Sequence, residues 1–207
     1  MTRGDERSGR QRLIDAAMRL AAERRSLGGL GVRELTREAG LSPAAFYRHF
    51  VDLEVLGLAV IQEIEAILLG TLSGLWKNLR DSQALTGMSL QAYFDLVQAR
   101  QDAFVVCARE RYGVSAAWRD AVGQLQRHLA QELARELAHS ELFSRLPLQE
   151  LEAAAVDVIE QVNGRMLDFV TADTQQREQI RQHTEDTVQR QFAGLLLLQQ
   201  ASAPASV

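Results

Sequence analysis

The spacing of apolar residues constrains this chain most, because it follows the 3.6-residue period of an α-helix along almost the whole sequence. Only three prolines interrupt that spacing, at positions 43, 147 and 204. No stretch shows the sustained alternation of β-branched residues that indicates strands. The spacing therefore predicts an all-α fold. The predicted helices span residues 10–24, 32–39, 43–49 (or 50), 52–80, 89–109, 115–139, 148–171 and 175–200.

The composition excludes several classes of protein. The 207 residues are 46% apolar and 24% charged, which is ordinary for a folded protein and excludes wholesale disorder. No apolar run approaches the roughly 20 residues that cross a bilayer, and the charged start of the chain lacks the apolar core of a secretory signal. Cys107 is the only cysteine, which excludes an intramolecular disulfide and a thiolate zinc site. We expect a cytoplasmic protein with no membrane partner.

Charge is distributed unevenly along the chain, although the net charge is only −4. Residues 1–50 carry ten arginines against six acidic residues, a net +4, whereas residues 51–207 carry 13 basic against 21 acidic residues, a net −8. A basic first quarter on an acidic body is typical of a protein that meets a polyanion at one end. Chance clustering is the alternative explanation.

Residues 32–50 have the layout of a helix-turn-helix, with two short helices joined by a turn that contains glycine. Gly40 permits the positive φ that a sharp turn needs. Ser42 is suited to cap the second helix, and Pro43 suits its first position. The residues expected to face the core are Leu35, Ala39, Phe46 and Phe50. The alternative is a pair of amphipathic helices with a solvated outer face.

The second helix of this pair would present its other side chains outward, as a DNA-reading helix does. Small residues at its front would let the backbone approach base edges, and an alanine methyl can touch the methyl of thymine. Tyr47, His49 and Arg33 are suitable donors to phosphate oxygens. The predicted DNA-contacting residues are Arg33, Thr36, Ser42, Pro43, Ala44, Ala45, Tyr47, Arg48 and His49.

The run from Ala39 to Phe50, followed by Asp52-Leu53-Glu54-Val55-Leu56, closely resembles the signature of the TetR family of transcriptional regulators. That family ends its reading helix in an aromatic-Tyr-x-His-Phe run, which stands here at residues 46–50. With the preceding helices, the match covers about residues 10–60. The resemblance implies an N-terminal DNA-binding head, a C-terminal helical domain that binds a ligand and forms a homodimer, and repression at a palindromic operator.

A second segment, from Arg109 to Arg119, resembles the Arg-Glu-Arg-x-Gly-x-Ser-x-x-aromatic-Arg stretch of FabR/DesT-type regulators of unsaturated fatty-acid synthesis. This resemblance implies control by a long-chain acyl-CoA. The chain departs from the TetR pattern at Val51-Asp52-Leu53, where many members carry a lysine that contacts a DNA phosphate. The arginines at positions 3, 7, 10 and 12 are candidates to replace that contact.

Apolar residues at helical spacing mark two faces in the C-terminal part of the chain. One consists of Leu151, Ala155, Val158, Ile159, Val162, Met166 and Phe169, and the other of Val188, Phe192, Leu195, Leu196 and Gln199. Two such helices from each of two chains would build a four-helix interface, so we predict a homodimer through the last two helices. The alternative is that these faces belong to the core of a single chain.

A cavity for an acyl chain would be lined by apolar side chains with few polar groups. The arginines of residues 109–119 would either clamp an anionic head group or form ion pairs within the protein. The predicted ligand-binding residues are Ile64, Leu68, Leu72, Phe94, Val97, Phe104, Val105, Arg111 and Trp118.

Nothing in the sequence predicts catalysis. No residue near Cys107 would activate its thiol, and His128 and His139 are too far apart to bind one metal from a straight helix. Motifs for a phosphate-binding loop or a nucleophilic serine are absent from the sequence. We expect no enzyme activity, no metal and no cofactor other than an effector ligand.

These patterns divide the chain into a flexible basic arm (1–9), a DNA-binding domain (10–58), a ligand-binding and dimerisation domain (59–200) and a disordered tail (201–207). The predicted function is repression of fatty-acid genes under the control of a small apolar effector. A regulator that senses a drug-like compound is one alternative, and a helical lipid carrier without DNA binding is another.

Overall fold

The computed structural model describes the backbone of residues 3–24, 26–76 and 82–202, and this part of the chain is helical without strands. The all-α prediction is confirmed. The helices are α1 (Arg3–Arg24), α2 (Val32–Glu38), α3 (Pro43–His49), α4 (Leu53–Trp76), α5 (Ser82–Ala99), α6 (Gln101–Glu110), α7 (Ala116–His139), α8 (Leu148–Gly164), α9 (Met166–Thr171) and α10 (Thr174–Ser202). Predictions for residues 1–2, 77–80 and 203–207 fall outside the described residues.

Several predicted boundaries are wrong. Helix α1 begins at Arg3, so residues 3–9 continue the first helix instead of forming a flexible arm. The helix predicted over residues 89–109 begins at Ser82 and breaks at Arg100, where φ is −133° and ψ is 46°. The helix predicted over residues 148–171 breaks at Arg165. Neither break contains a proline, so apolar spacing alone does not reveal it.

The chain divides into two compact units, of which the first comprises residues 1–67 and 99–125. Its core begins with the predicted face of α1, which is buried as expected: Leu13, Ile14, Ala17, Leu20 and Ala21. Helices α2 and α3 pack against α1 and against each other. Their predicted inward residues are also buried: Leu35, Ala39, Phe46 and Phe50. These helices thus form a three-helix head, along which α6 packs on α1.

The turn between α2 and α3 has the features expected from its sequence. Gly40 has a φ of +63°, and its N–H donates to the Arg37 carbonyl at 3.1 Å. The N–H of Leu41 donates to the Thr36 carbonyl at 2.7 Å, which completes a Schellman motif. Ser42 Oγ then accepts from the N–H of Ala45 at 3.3 Å, with Pro43 in the first turn of α3. This turn fixes where α3 begins.

The second unit comprises residues 68–98 and 126–207. Its core contains two aromatic pairs, Phe94 with Phe169 and Phe143 with Phe192, whose ring centroids are 4.6 Å and 5.5 Å apart. The faces predicted to join two chains are largely buried inside this unit: Leu151, Ala155, Val158, Ile159, Val162, Met166, Phe169, Val188 and Phe192. For these residues the assignment to a dimer interface is wrong, and the alternative of an intrachain core is correct. Leu195 and Leu196 of the same predicted face are half-buried, and the side chain of Gln199 lies outside the described residues.

Helix α4 corrects the expectation that no segment could span a bilayer. Residues Leu53–Gly74 are long enough and apolar enough to cross a membrane by length and composition. Core helices of folded domains pass the same test, and 44% of the apolar window of α4 is buried. The buried positions recur at helical spacing and include Leu56, Val60, Ile64, Leu68 and Leu72. This pattern indicates that one face of α4 packs in the protein interior.

The left-handed conformation at Gly40 leads to a stability prediction. Gly40→Ala should lower the free energy of unfolding by about 1–2 kcal/mol, because L-residues are strained at this φ. The added Cβ would also lie 2.5 Å from Arg12 Nη2. Gly29→Ala is the matched control, since no atom lies within 4 Å of its Cβ position. Urea unfolding of the two variants should give clearly different midpoints, and equal midpoints would contradict the role assigned to Gly40.

Candidate nucleic-acid interface and ligand cavity

Helix α3 presents a polar and small-residue face to solvent. Pro43, Ala44 and Arg48 are exposed, and 63% of the Tyr47 side chain is accessible. The Tyr47 ring packs edge-on against buried Phe46 at a centroid distance of 5.2 Å, which orients the phenol away from the core. An exposed helix face with small residues at its start can enter the major groove of DNA.

Two residues predicted to contact DNA are buried instead. Thr36 is 1% exposed, and its hydroxyl donates to the carbonyls of Val32 at 2.9 Å and Arg33 at 3.2 Å. Ala45 is 3% exposed and lies on the inward side of α3, next to Phe46. Neither side chain can reach a nucleic acid without unfolding the head, so both leave the candidate interface.

The other predicted contacts lie at the margins of the exposed face. Arg33 is exposed in the first turn of α2, and Ser42 is exposed at the cap of α3. His49 is half-buried, and its Nε2 atom lies 2.8 Å from the point where a Cβ on Gly9 would stand. The absence of a side chain at Gly9 therefore lets the His49 ring pack closely on α1.

The segment that follows α3 contains Asp52, which lies directly before α4. Asp52 Oδ1 accepts from the N–H of Val55 at 2.8 Å, which confirms Asp52 as the N-cap of α4. A carboxylate at a helix N-terminus satisfies free N–H groups and interacts favourably with the helix dipole. The Asp52 side chain thus stabilises the N-terminus of α4. It also places a negative charge in the segment where the resemblance implied a contact with a DNA phosphate.

Arginines from α1 flank the α2–α3 turn. Arg12 Nη2 donates to the carbonyl of Gly40 at 3.0 Å, and Arg19 pairs with Glu38 at 3.2 Å. They line an open polar cleft of about 290 Å³ together with Arg37. The guanidinium of Arg10 lies over the Phe50 ring at 5.4 Å. The side chains of Arg3 and Arg7 lie outside the described residues.

The second unit contains an apolar cavity of about 60 Å³. Residues from five helices line it: Leu72 and Trp76 of α4; Thr86, Ser89, Leu90 and Tyr93 of α5; Leu129, Leu133 and Leu137 of α7; Val158, Ile159, Val162 and Asn163 of α8; and Val188 and Phe192 of α10. Many of these residues belong to the faces that the sequence analysis assigned to a dimer interface. Their helical spacing was visible in the sequence, but their common cavity was not.

Of the predicted ligand-binding residues, only Leu72 lines this cavity. Leu68, Phe94 and Val97 are buried elsewhere in the same unit. The remaining predicted residues belong to the first unit: Ile64, Phe104, Val105, Arg111 and Trp118. Apolar spacing identifies buried positions, but it does not tell which of them face a void.

Residues 109–119 support the first unit by hydrogen bonding. Trp118 Nε1 donates to the Glu54 carbonyl at 3.0 Å, and the indole covers Gly57 so closely that a Cβ there would lie 2.3 Å from it. The buried carboxylate of Glu110 accepts from the N–H of Leu27 at 2.7 Å. Among the arginines of this segment, Arg119 Nη1 donates to the carbonyls of Gly113 at 2.7 Å and Val114 at 2.8 Å, which favours an internal role for Arg119.

Cys107 is buried in α6, and its environment suppresses thiol chemistry. Burial, and secondly the nearby Glu110 carboxylate, together raise the pKa of the Cys107 thiol from 9.0 to about 12. Nucleophilic cysteines require the opposite shift. Across the described residues, no cluster of three or more His, Cys, Asp or Glu residues is arranged to hold a metal ion.

Comparison with known proteins identifies relatives of both parts of the chain. A family model described as bacterial regulatory proteins, tetR family, matches residues 13–60, and one described as tetracyclin repressor-like, C-terminal domain, matches residues 83–194. A protein of Haemophilus influenzae described as an uncharacterized HTH-type transcriptional regulator is 28% identical over 167 residues, which cover 81% of this chain and 82% of that protein.

Solved structures share the fold. A transcriptional regulator from Rhodococcus sp. Rha1 has a TM-score of 0.73 at 22% identity, over 89% of this chain and 96% of that chain. The regulator FadR from Bacillus subtilis, solved in complex with stearoyl-CoA, has a TM-score of 0.69 at 14% identity, over 87% of this chain and 96% of that chain.

The environment of Cys107 makes a testable prediction about its reactivity. A thiol reagent such as DTNB should leave the native protein unlabelled at pH 8 and label it stoichiometrically in urea, because the buried thiol stays protonated below its pKa of about 12. The thiol ionises more readily in the unfolded state, so its contribution to stability should be complete below pH 9.0 and decline as the pH rises towards 12. Rapid labelling of native protein at pH 8 would contradict this assignment.

Proposed function

The chain belongs to the TetR family of DNA-binding transcriptional regulators, and we propose that it is a cytoplasmic homodimeric repressor of fatty-acid genes, controlled by a long-chain acyl-CoA or a related apolar effector. The exposed face of α3 carries the DNA-binding part of this proposal. Residues 10–58 are assigned to operator binding, and residues 59–200 to effector binding and dimerisation.

In the proposed complex, α3 lies in the major groove of each half of a palindromic operator. Ala44 at the front of the helix lets the backbone approach base edges, while Tyr47 and Arg48 extend from the exposed face. Arg33, Ser42, Pro43 and His49 complete the contact set. Dimers of helix-turn-helix proteins place their reading helices about 34–36 Å apart, one turn of DNA.

Dimerisation through α8 and α10 requires faces other than the buried ones. Exposed apolar side chains remain on these helices, since Val156 is 39% and Leu197 is 65% exposed. Covering such residues in a two-fold interface removes apolar surface from water. We therefore assign the dimer contact to the outward sides of α8 and α10.

The effector proposal rests on three observations. The cavity in the second unit has a predominantly apolar lining, residues 109–119 resemble the FabR/DesT segment, and FadR from Bacillus subtilis binds stearoyl-CoA within a similar fold. The cavity volume of about 60 Å³ is far below the roughly 300–1,000 Å³ of typical ligand sites. Effector binding must therefore enlarge it, and the effector acts through its preference for the enlarged state.

Tyr47→Ala tests the DNA-binding role of α3. The variant should lose at least about 90% of operator affinity, since loss of one or two anchoring contacts costs 1–3 kcal/mol, while its helical content stays unchanged. Tyr112→Ala removes another tyrosine of the first unit that is 81% exposed and provides the matched control. Gel shifts with DNA from the upstream region of its own gene measure the effect, and equal affinities for the two variants would contradict the assigned interface.

Titration of acyl-CoAs into a footprinting assay tests the effector. Saturated and unsaturated long-chain acyl-CoAs should change protection of a two-half-site operator at concentrations at which free coenzyme A has no effect. An unchanged footprint, together with a response to drug-like compounds, would favour the xenobiotic-sensing alternative. Binding of acyl-CoA without any protected DNA would instead indicate a helical lipid carrier.

A further inference from the structure

The cavity of the second unit combines an apolar wall with one small polar patch. Eleven of its fifteen lining residues are apolar, and the other four are Thr86, Ser89, Tyr93 and Asn163. Among the described residues that line it, none carries a charge. The patch consists of neutral hydrogen-bonding groups, which restricts the head groups that the cavity can accept.

The polar groups of the patch form two separate hydrogen bonds. Trp76 Nε1 donates to Ser89 Oγ at 2.8 Å, so the indole N–H is satisfied within the cavity wall. Tyr93 Oη donates to Asn163 Oδ1 at 2.9 Å. The amide nitrogen of Asn163 carries two further N–H donors, and the side chain is only half-buried. The Tyr93–Asn163 pair is thus the part of the wall best suited to bind a polar group of a ligand.

A free carboxylate fits this wall poorly. Transfer of an ionised carboxyl group into an apolar cavity is costly unless a cation is present to pair with it. A neutral carbonyl or hydroxyl loses far less hydration, and a single neutral hydrogen bond compensates for much of that loss. The described part of the lining therefore favours an esterified chain over the corresponding free acid.

Resting on the effector cavity of the proposed function, we propose that this cavity takes up a slender alkyl chain whose adjoining uncharged group, a thioester or ester carbonyl or a hydroxyl, hydrogen-bonds to the Tyr93–Asn163 pair, and that it rejects free fatty carboxylates. The cavity of about 60 Å³ is narrow and partly open to its surroundings. A slender chain enters such a space with less displacement of the wall than a ring system does. Tyr93 and Asn163 are the residues that determine head-group specificity.

A ten-carbon series tests the head-group preference by isothermal titration calorimetry. Decanol and methyl decanoate should bind, and decanoate at pH 8 should bind at least about 1,000-fold more weakly, because pH 8 lies three or more units above the carboxyl pKa and the ionised head would be buried without a cation among the described lining residues. The apparent affinity of decanoate should rise about tenfold per pH unit as the pH falls towards the carboxyl pKa, because only the neutral acid is accepted. Decanoate binding as tightly as decanol at pH 8, or no binding by any member, would overturn the proposal.

The double variant Tyr93→Phe/Asn163→Leu tests whether the Tyr93–Asn163 pair causes the preference for an uncharged polar head group. The double substitution removes the donor and the acceptor of this hydrogen bond together, so neither is left unpaired by loss of the other, and circular dichroism checks that the fold persists. Decanol should lose about tenfold in affinity and bind no better than decane. Tyr112→Phe removes an exposed phenol outside the cavity and should leave the preference intact. A folded double variant that still favours decanol over decane would refute the role of the pair. If it does not fold, the decanoate pH profile of the unmodified protein decides the outcome.

Gel shifts on the same samples separate this inference from the proposed function. Intact operator binding without head-group selectivity refutes the inference and leaves the DNA-binding role in place. Head-group selectivity without operator binding supports the inference and refutes the repressor.

Discussion

The left-handed backbone at Gly40 is the constraint on which the exposed face of α3 depends. It allows α2 to end in a Schellman motif within two residues of the Ser42 cap, and Arg12 braces the turn by donating to the Gly40 carbonyl. Phe46 and Phe50 then lie one turn apart and enter the core together. With these anchors fixed, the helical period places Tyr47 and Arg48 in solvent. The orientation of the exposed face of α3 is therefore set by the backbone conformation of the free protein.

Local signals in the sequence were sufficient for the head. Few residue types can replace Gly40 at a positive φ, or Ser42 and Asp52 as helix N-caps. The structure shows each of these three residues in the role that its type predicts. Thr36 was misassigned because a hydroxyl at a helical position suggests exposure, whereas here it is satisfied by backbone carbonyls one turn earlier. Ala45 is small enough to be buried or exposed, and its position beside Phe46 decides the outcome.

Tertiary relationships of the second unit could not be predicted in the same way. The apolar face of α8 has the same period whether it packs against its own chain or against a second copy. Val158 and Val162 line the cavity together with Leu72, which is nearly ninety positions away in sequence. No local sequence pattern predicts that these residues lie close together. The breaks at Arg100 and Arg165 have the same explanation, because neither a proline nor a cap marks them. Sequence reasoning therefore succeeded where chemistry is local and failed where packing chooses among equivalent apolar faces.

The small volume of the cavity bears on how an effector can act. A ligand shifts an equilibrium only by its differential affinity for two states, and a narrow cavity of about 60 Å³ offers little room to a long chain. A long chain then binds the narrow state of the cavity weakly. Its affinity for an enlarged state is correspondingly higher, and this difference in affinity is what shifts the equilibrium. Trp76, in the last turn of α4, lines this cavity and donates to Ser89. Enlarging the cavity must move that turn or break that hydrogen bond, and α4 continues without a proline from Leu53 to Trp76. Ser73 and Gly74 precede Trp76 in the same helix, and because helices bend readily at Ser-Gly pairs, they can absorb such a displacement within the second unit.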